Sequence, residues 1–270
     1  MLDRRLFLYS GLAATALATP DPAAENEVWR RERLARLKGE EGWLTVAGLH
    51  WLEPGVNGIP AAPGLLFTRK GDSVLLESSR PVLVNGKPTQ KRALKKDTDK
   101  ITIGERTFFV IVRGDRVAIR ERDKQSNYRT HFKGLQLYPF RPELRCLAKW
   151  IPYPKPLKRR ITTVANTVEE MMAPGQAEFA IAGQTYRLEP VIEEDHLFYI
   201  FKDLTAGKST YAAGRFMELP MPKNRMAIVD FNRAYNPPCA FTPYATCPLP
   251  LRQNHLPIAI EAGELAYHFE

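Results

Sequence analysis

The sequence predicts a mainly β fold: a single antiparallel barrel- or sandwich-like domain of about a dozen short strands behind an N-terminal helix. Three observations carry that expectation. Short β-like runs recur at about 8–12-residue spacing, separated by turn signals. They do not alternate with the helical segments that a parallel βαβ sheet would need. The 270-residue chain also holds 22 prolines, which argues against long uninterrupted helices. A hydrophobic content of 44% is ample for a core, and 26% charged residues is ordinary, so a disordered chain is excluded.

The first segment, residues 1–24, reads as an address rather than as fold. Arg4 and Arg5 precede an apolar run from Leu6 to Ala18, and Ala16-Leu17-Ala18 supplies a small-x-small cleavage pattern. The run is short of the ~20 residues that cross a bilayer, so the mature chain is expected to have no transmembrane span. These features look like a bacterial twin-arginine export signal and place the protein in the periplasm or outside the cell. Removing the segment leaves the formal charge at +9, with basic clusters at Lys87–Lys100 and Lys155–Arg160. Solvated strand edges are the simpler reading of those clusters, and contact with an anionic envelope surface is the alternative. No nucleic-acid-binding motif is visible, so nucleic acid is not expected as a partner.

Residues 25–42 follow as a helix, with Val28, Trp29, Leu34 and Leu37 as a broken apolar stripe. From Gly42 the pattern turns to strands, and residues 43–270 form the β-rich domain. Strands are expected at 43–52, 73–79 and 81–87, with a turn at 53–58 between the first two. Residues 107–112 and 117–122 flank Arg113-Gly114-Asp115-Arg116 as a hairpin. Further strands are expected at 101–103, 134–140, 144–153, 177–183, 184–192, 196–203, 210–219, 225–232 and 256–262. No repeat or interdomain linker interrupts them.

The familiar catalytic signatures are absent: no G-x-S-x-G, phosphate loop, G-x-G-x-x-G, H-E-x-x-H or C-x-x-C. The unusual segment is 228–254, which is rich in Asn, Pro, Tyr and Cys and free of lysine. Such loops are generally structured and packed. Asp230, Asn232 and Asn236 either satisfy buried backbone groups there or belong to a site.

At this segment the chain resembles the bacterial and archaeal domain-of-unknown-function family 1684. The resemblance spans about residues 43–263. Its most specific stretch is Asp230-Phe231-Asn232-Arg233-Ala234-Tyr235-Asn236-Pro237-Pro238-Cys239-Ala240-Phe241, followed by Cys247-Pro248 and Ala262-Gly263-Glu264. Phe201–Gly207, Thr210-Tyr211 and Gly214-Arg215 also belong to it. It implies membership and no activity. Because His50, His131 and His255 do not fall on the family pattern, it weakens a Cys-His nucleophile at Cys239. It likewise weakens a zinc site from Cys239, Cys247 and His255, which would still need a fourth ligand. No metal is expected, and no cofactor is assigned.

The functional expectation is a cleft for a small polar or anionic molecule, lined by Arg215, Tyr211, Asn236 and Cys239. Arg215 would pair with a ligand carboxylate or phosphate, or else with Asp230 in an internal ion pair. The enzyme alternative is a hydrolase-type reaction with Asp230 as general base. Tyr235 or Tyr211 would be the acid, and Asn232 or Asn236 an oxyanion donor. The third alternative is a structural envelope module with no ligand. Cys239 and Cys247 form a disulfide, remain buried thiols, or include a reactive thiolate. Cys146 reads as a core residue.

Overall fold

The computed structural model describes residues 21–267. The twin-arginine pair and the Ala16–Ala18 pattern lie outside those residues. The first element is helix α1 (Pro22–Lys38), capped by the Asp21 carboxylate, which accepts from Ala23 N at 3.1 Å, with Pro22 at the first helical position. The helix therefore starts three residues before the expected boundary, inside segment 1–24. Of the expected stripe, Leu37 is buried and Trp29 packs partly against the core, whereas Val28 is exposed. Asn26 and Arg33 face inward beside Leu37, so two of the three buried residues are polar.

A sheet of eight strands follows: β1 (Val46–Trp51), β2 (Gly55–Gly58), β3 (Leu65–Lys70), β4 (Ser73–Val84), β5 (Lys87–Leu94), β6 (Ile101–Ile103), β7 (Arg106–Arg113) and β8 (Arg116–Asp123). The strand order is β1-β8-β7-β6-β4-β3-β2, with β5 paired to β4. Alternate residues of these strands, among them Phe67, Leu76, Phe108, Val110 and Ile119, close a core of their own. Three details depart from the sequence reading. Residues 55–58 are a strand rather than part of a turn, and 65–70 pair although no strand was expected there. The lysine-rich run at 87–94 is a strand as well, and its basic residues blunt a sheet edge.

The rest of the chain opens with a single helical turn, α2 (Asn127–Thr130), and builds two smaller sheets. Its strands are β9 (Arg145–Thr162), β10 (Val168–Ile181), β11 (Gln184–Leu188), β12 (Val191–Glu193), β13 (His196–Phe201), β14 (Arg215–Pro220) and β15 (Met226–Asp230). One sheet runs β11-β10-β9-β15 and the other β12-β13-β14, and every strand ladder is antiparallel. Between them lie Leu188, Leu197, Tyr199, Phe201, Met217, Val229 and Phe231. The predicted mainly antiparallel β class is therefore observed. Strands β9 and β10 are longer than predicted because the ladder continues past a bulge. Pairing jumps from Gly175–Pro152 to Ala173–Leu157, leaving Tyr153 to Pro156 outside the register. Two prolines in that stretch cannot donate ladder hydrogen bonds, so a bulge is their natural place. Gly175 permits the crossing, because a Cβ there would sit 2.4 Å from the Ile151 carbonyl oxygen.

Two expected strands do not form. Residues 134–140 make a single bridge, Leu137 to Glu264. Residues 256–262 have the apolar alternation of a strand and bury Leu256, Ile260 and Ala262, but hold no ladder. Leu256 N donates to Lys202 O and Leu204 N to Ile258 O, while the Ile260 and Ala262 carbonyls are satisfied by a side chain, as described below. Among the described residues no helix is long and apolar enough to cross a membrane.

Candidate functional site

Strand parity decides which side chains meet. On β14, Arg215, Met217 and Leu219 face the core, while Phe216 and Glu218 face the opposite way. Cross-strand pairing sets Phe198 opposite Glu218 and Val191 opposite Phe198, so Glu193 projects from the same face. Tyr235 joins this face by exchanging two backbone hydrogen bonds with Phe216, each 2.9 Å. Its hydroxyl donates to Glu218 Oε1. The rings pack edge to face, Phe198 on Phe216 at 4.8 Å and Phe216 on Tyr235 at 6.0 Å.

The other walls come from distant parts of the chain. Helix α1 brings Arg33 and Arg36, and the turn after it brings Trp43. The Arg33 guanidinium lies 4.5 Å from the centroid of the Tyr235 ring, and it is anchored by Glu264 at 2.9 Å and the Asn236 carbonyl at 3.0 Å. Strand β7 contributes Arg113, held by Glu169 at 3.3 Å and by the Thr246 hydroxyl at 3.0 Å. Together they enclose a cleft of about 640 Å³, within the usual range for small-molecule sites. Burial, with the Glu218 carboxylate alongside, pushes the Tyr235 phenol well above its ordinary value. The Glu193 carboxyl is also raised, first by partial desolvation among the cleft walls and then by Glu218, although both residues keep an exposed surface.

Most residues singled out from the sequence lie elsewhere. Arg215 is buried under the C-terminal segment. Its guanidinium pairs with Asp203 at 2.8 Å and donates to the carbonyls of Ile260 (2.9 Å) and Ala262. Asp203 in turn accepts from Thr205 N (2.8 Å), the Thr205 hydroxyl (2.5 Å) and Ile260 N (3.3 Å). Burial pushes the Arg215 guanidinium down, and the Asp203 carboxylate opposes that shift. The ion partner of Arg215 is thus Asp203 and not Asp230.

Asp230 caps a 3-10 turn (Phe231–Arg233), so the expected strand 225–232 ends two residues early. Its Oδ1 accepts from Asn232 N (3.1 Å) and Nδ2 (3.0 Å), and its Oδ2 faces Arg145 at 3.5 Å and Arg233 at 3.6 Å. Asn232 also accepts from Arg141 N at 2.8 Å and donates to Arg141 O at 2.9 Å. The Asn26 side chain donates to the Asn232 carbonyl at 3.2 Å, tying α1 to the turn. Asn236 donates through its backbone to Glu264 at 2.8 Å and through Nδ2 to the Leu265 carbonyl at 2.7 Å. Gly263 permits this crossing, since at φ +78° a Cβ would lie 2.3 Å from the Ala234 carbonyl oxygen.

Of the proposed catalytic trio Asp230, Asn232 and Tyr235, only Tyr235 reaches the cleft. Of the proposed ligand-binding set, Arg215 and Asn236 are in the clamp just described. Tyr211 donates to the Cys239 carbonyl at 3.0 Å, and burial pushes its phenol up. Cys239 and Cys247 are free thiols in contact, with Cys239 N donating to Cys247 Sγ at 3.2 Å. His255 is exposed, its backbone bridged to Lys202. Among the described residues no group of three or more His, Cys, Asp and Glu side chains is placed to hold a metal ion. The residues that sequence reasoning missed are Glu193, Glu218, Phe198 and Phe216. Their signal was available as the alternate positions of the strands at 191–201 and 215–220.

A family profile described as "Protein of unknown function (DUF1684)" matches residues 130–265. The chain belongs to this family. The DUF1684 region contains the whole Asp203–Arg215 and Asp230–Asn236 clamp. It also holds the β12–β14 wall of the cleft, whereas Arg33, Arg36, Trp43 and Arg113 come from outside it. The chain is similar to an uncharacterized protein from Haloarcula marismortui, solved by solution NMR. The two are 29% identical over 51% of this chain and 78% of that one, with a TM-score of 0.43. No curated protein matches.

Proposed function

We propose that this DUF1684 protein binds a small polar molecule carrying a cationic group, in the cleft between α1, β7 and the β12–β14 sheet. One observation carries the reading. Glu193 and Glu218 share a sheet face with three aromatic rings, and among the described residues neither carboxylate has an ion-pair partner. Paired carboxylates beside aromatic faces favour an ammonium or guanidinium group through charge and cation–π attraction. Arg113 is paired with Glu169 and Arg33 with Glu264, and the remaining lining arginine, Arg36, is not among the charges acting on Glu193, where His196 is the attracting group. An anionic ligand held by Arg215 is disfavoured, because that guanidinium is committed to Asp203 and two carbonyls.

The pH behaviour follows from Glu193, which faces Glu218, Glu194 and Glu169 as repelling charges and His196 as an attracting one. Its folded carboxyl is raised, so the native state binds more protons than the unfolded chain. Stability is expected to fall as pH rises from the ordinary value of 4.5 through the raised one. A bound cation offsets that loss, so binding strengthens over the same window. Native mass spectrometry of protein purified from its own host should find a bound small molecule whose occupancy rises with pH and vanishes in Glu193→Gln. Absence of any bound mass, or occupancy indifferent to Glu193, would refute the reading.

The raised Glu193 carboxyl beside Glu218 supports a second reading, a hydrolase-type reaction with Glu193 as proton donor and Glu218 as base. It transfers the enzyme alternative from Asp230, whose carboxylate caps a turn, to the cleft. Turnover of glycoside or ester libraries that is lost in Glu218→Gln would establish it, and inactivity of the wild type on them would set it aside.

We also propose that the protein works in the periplasm or outside the cell. Arg4-Arg5 and Ala16-Leu17-Ala18 support this. Changing both arginines to lysine should leave uncleaved precursor in the cytoplasm, and normal processing of that variant would rule out twin-arginine export.

A further inference from the structure

We propose that Cys239 and Cys247 form a redox-active dithiol that a peroxide converts to an intramolecular disulfide. The pair is built into the fold from two independently anchored segments. Cys239 sits in the short turn Pro238–Ala240, which follows the clamped Asn236. Cys247 is held at the turn end of the β9–β10 hairpin. There its carbonyl accepts from Val164 N at 2.9 Å, and the following residues bridge to Thr163 and Thr162. The two anchors bring Cys239 N within 3.2 Å of Cys247 Sγ. They lie eight positions apart in sequence, so oxidation closes a small loop.

The two sulfurs are not equivalent. Cys239 is half-buried, while Cys247 is buried in the cleft wall. The hydrogen bond from Cys247 holds the Cys239 thiol below its ordinary value, and the Tyr211 hydroxyl acts in the same direction. Burial, together with the neighbouring Cys239, pushes the Cys247 thiol up. The more accessible and more acidic thiol is therefore the attacking one, and its partner is placed to resolve the product.

The chemistry balances with a peroxide as the oxidant. The Cys239 thiolate attacks one peroxide oxygen and the O–O bond breaks. The other oxygen leaves as an alcohol or water, taking the proton from the Cys239 thiol. The Cys247 sulfur then attacks the Cys239 sulfenic acid and the S–S bond forms. Water departs with the sulfenic hydroxyl and the Cys247 proton. Two thiols lose two electrons in all, and the peroxide gains them. Because Cys247 lines the cleft beside Pro248 and Pro238, the new bond fixes that part of the wall.

The test uses the full chain, fully reduced, with and without equimolar hydrogen peroxide, then unfolded, alkylated and mapped by mass spectrometry. The expected product has lost two hydrogens and carries a Cys239–Cys247 linkage. Cys146 remains alkylatable, since burial holds its thiol at about 11. Cys247→Ser should instead accumulate a sulfenic acid at Cys239 that dimedone captures, and Cys239→Ser should give no dimedone adduct at Cys247. Thiols that all remain alkylatable after peroxide would overturn the proposal. So would oxidation of Cys146 at the same rate, or a linkage that dithiothreitol cannot open in the folded protein.

Discussion

Arg215→Met is expected to destabilise the protein by about 3–5 kcal/mol, the usual consequence of removing one partner of a buried ion pair. The Asp203 carboxylate would keep its bonds from Thr205 and Ile260 N but lose its cation. The Ile260 and Ala262 carbonyls would lose their donors at the same time. Segment 256–262 has no strand ladder to fall back on, so its attachment should loosen first. Removing the charge as well, in Arg215→Met with Asp203→Ala, should recover part of the loss. Urea denaturation of the single and double variants decides the matter. A loss below about 1 kcal/mol for Arg215→Met, the scale of one ordinary hydrogen bond, would mean that the guanidinium is not a clamp and is free for a ligand.

The second large effect belongs to Asn232. Its side chain accepts from and donates to the backbone of Arg141 and also donates to Asp230. Asn232→Ala removes all three bonds and leaves the Arg141 N–H and carbonyl without those partners. Each buried group so orphaned costs ~1–3 kcal/mol. The expected loss is therefore about 2–6 kcal/mol, with hydrogen exchange quickening at Arg141 and along α1, whose Asn26 is bonded to the same turn. Unchanged exchange in α1 would show that the helix is held by its apolar contacts alone.

Fold class was readable because short runs of β-branched and aromatic residues bounded by turn residues are local signals. The strands at 107–112, 117–122 and 196–203 carry such runs within a few residues. Segment 256–262 alternates apolar residues as a half-buried strand would and is not a strand. Its apolar residues do enter the core, but the donor for the Ile260 and Ala262 carbonyls is Arg215, some 45 residues away. No local pattern records that partner.

The site failed to emerge for a related reason. On β14 both faces are mixed: Arg215 shares one with Met217 and Leu219, Glu218 the other with Phe216. A charged residue on either face fits the expectation of solvent or site, and only the tertiary arrangement assigns Arg215 to the core. The Asp230–Asn236 stretch is polar, and its polarity serves buried backbone that regular structure leaves unpaired. Its distinctive composition therefore pointed to a packed segment, while the carboxylates facing the cleft sat in ordinary strands. Tyr235 is where the two meet, with its backbone on Phe216 and its hydroxyl on Glu218.

The central claim is that the Asp230–Asn236 segment is a structural clamp and that ligand recognition belongs to the Glu193–Glu218 face. The most direct test is the melting temperature of wild type, Asn232→Ala and Glu218→Gln, each with and without a small-molecule extract of the host. The wild type should melt higher with extract. Asn232→Ala should melt lower throughout yet keep the extract-dependent rise. Glu218→Gln, which retains an acceptor for the Tyr235 hydroxyl, should melt close to wild type and lose the rise. The claim is contradicted if the wild type shows no rise, if Glu218→Gln keeps it, or if Asn232→Ala loses it while melting like wild type.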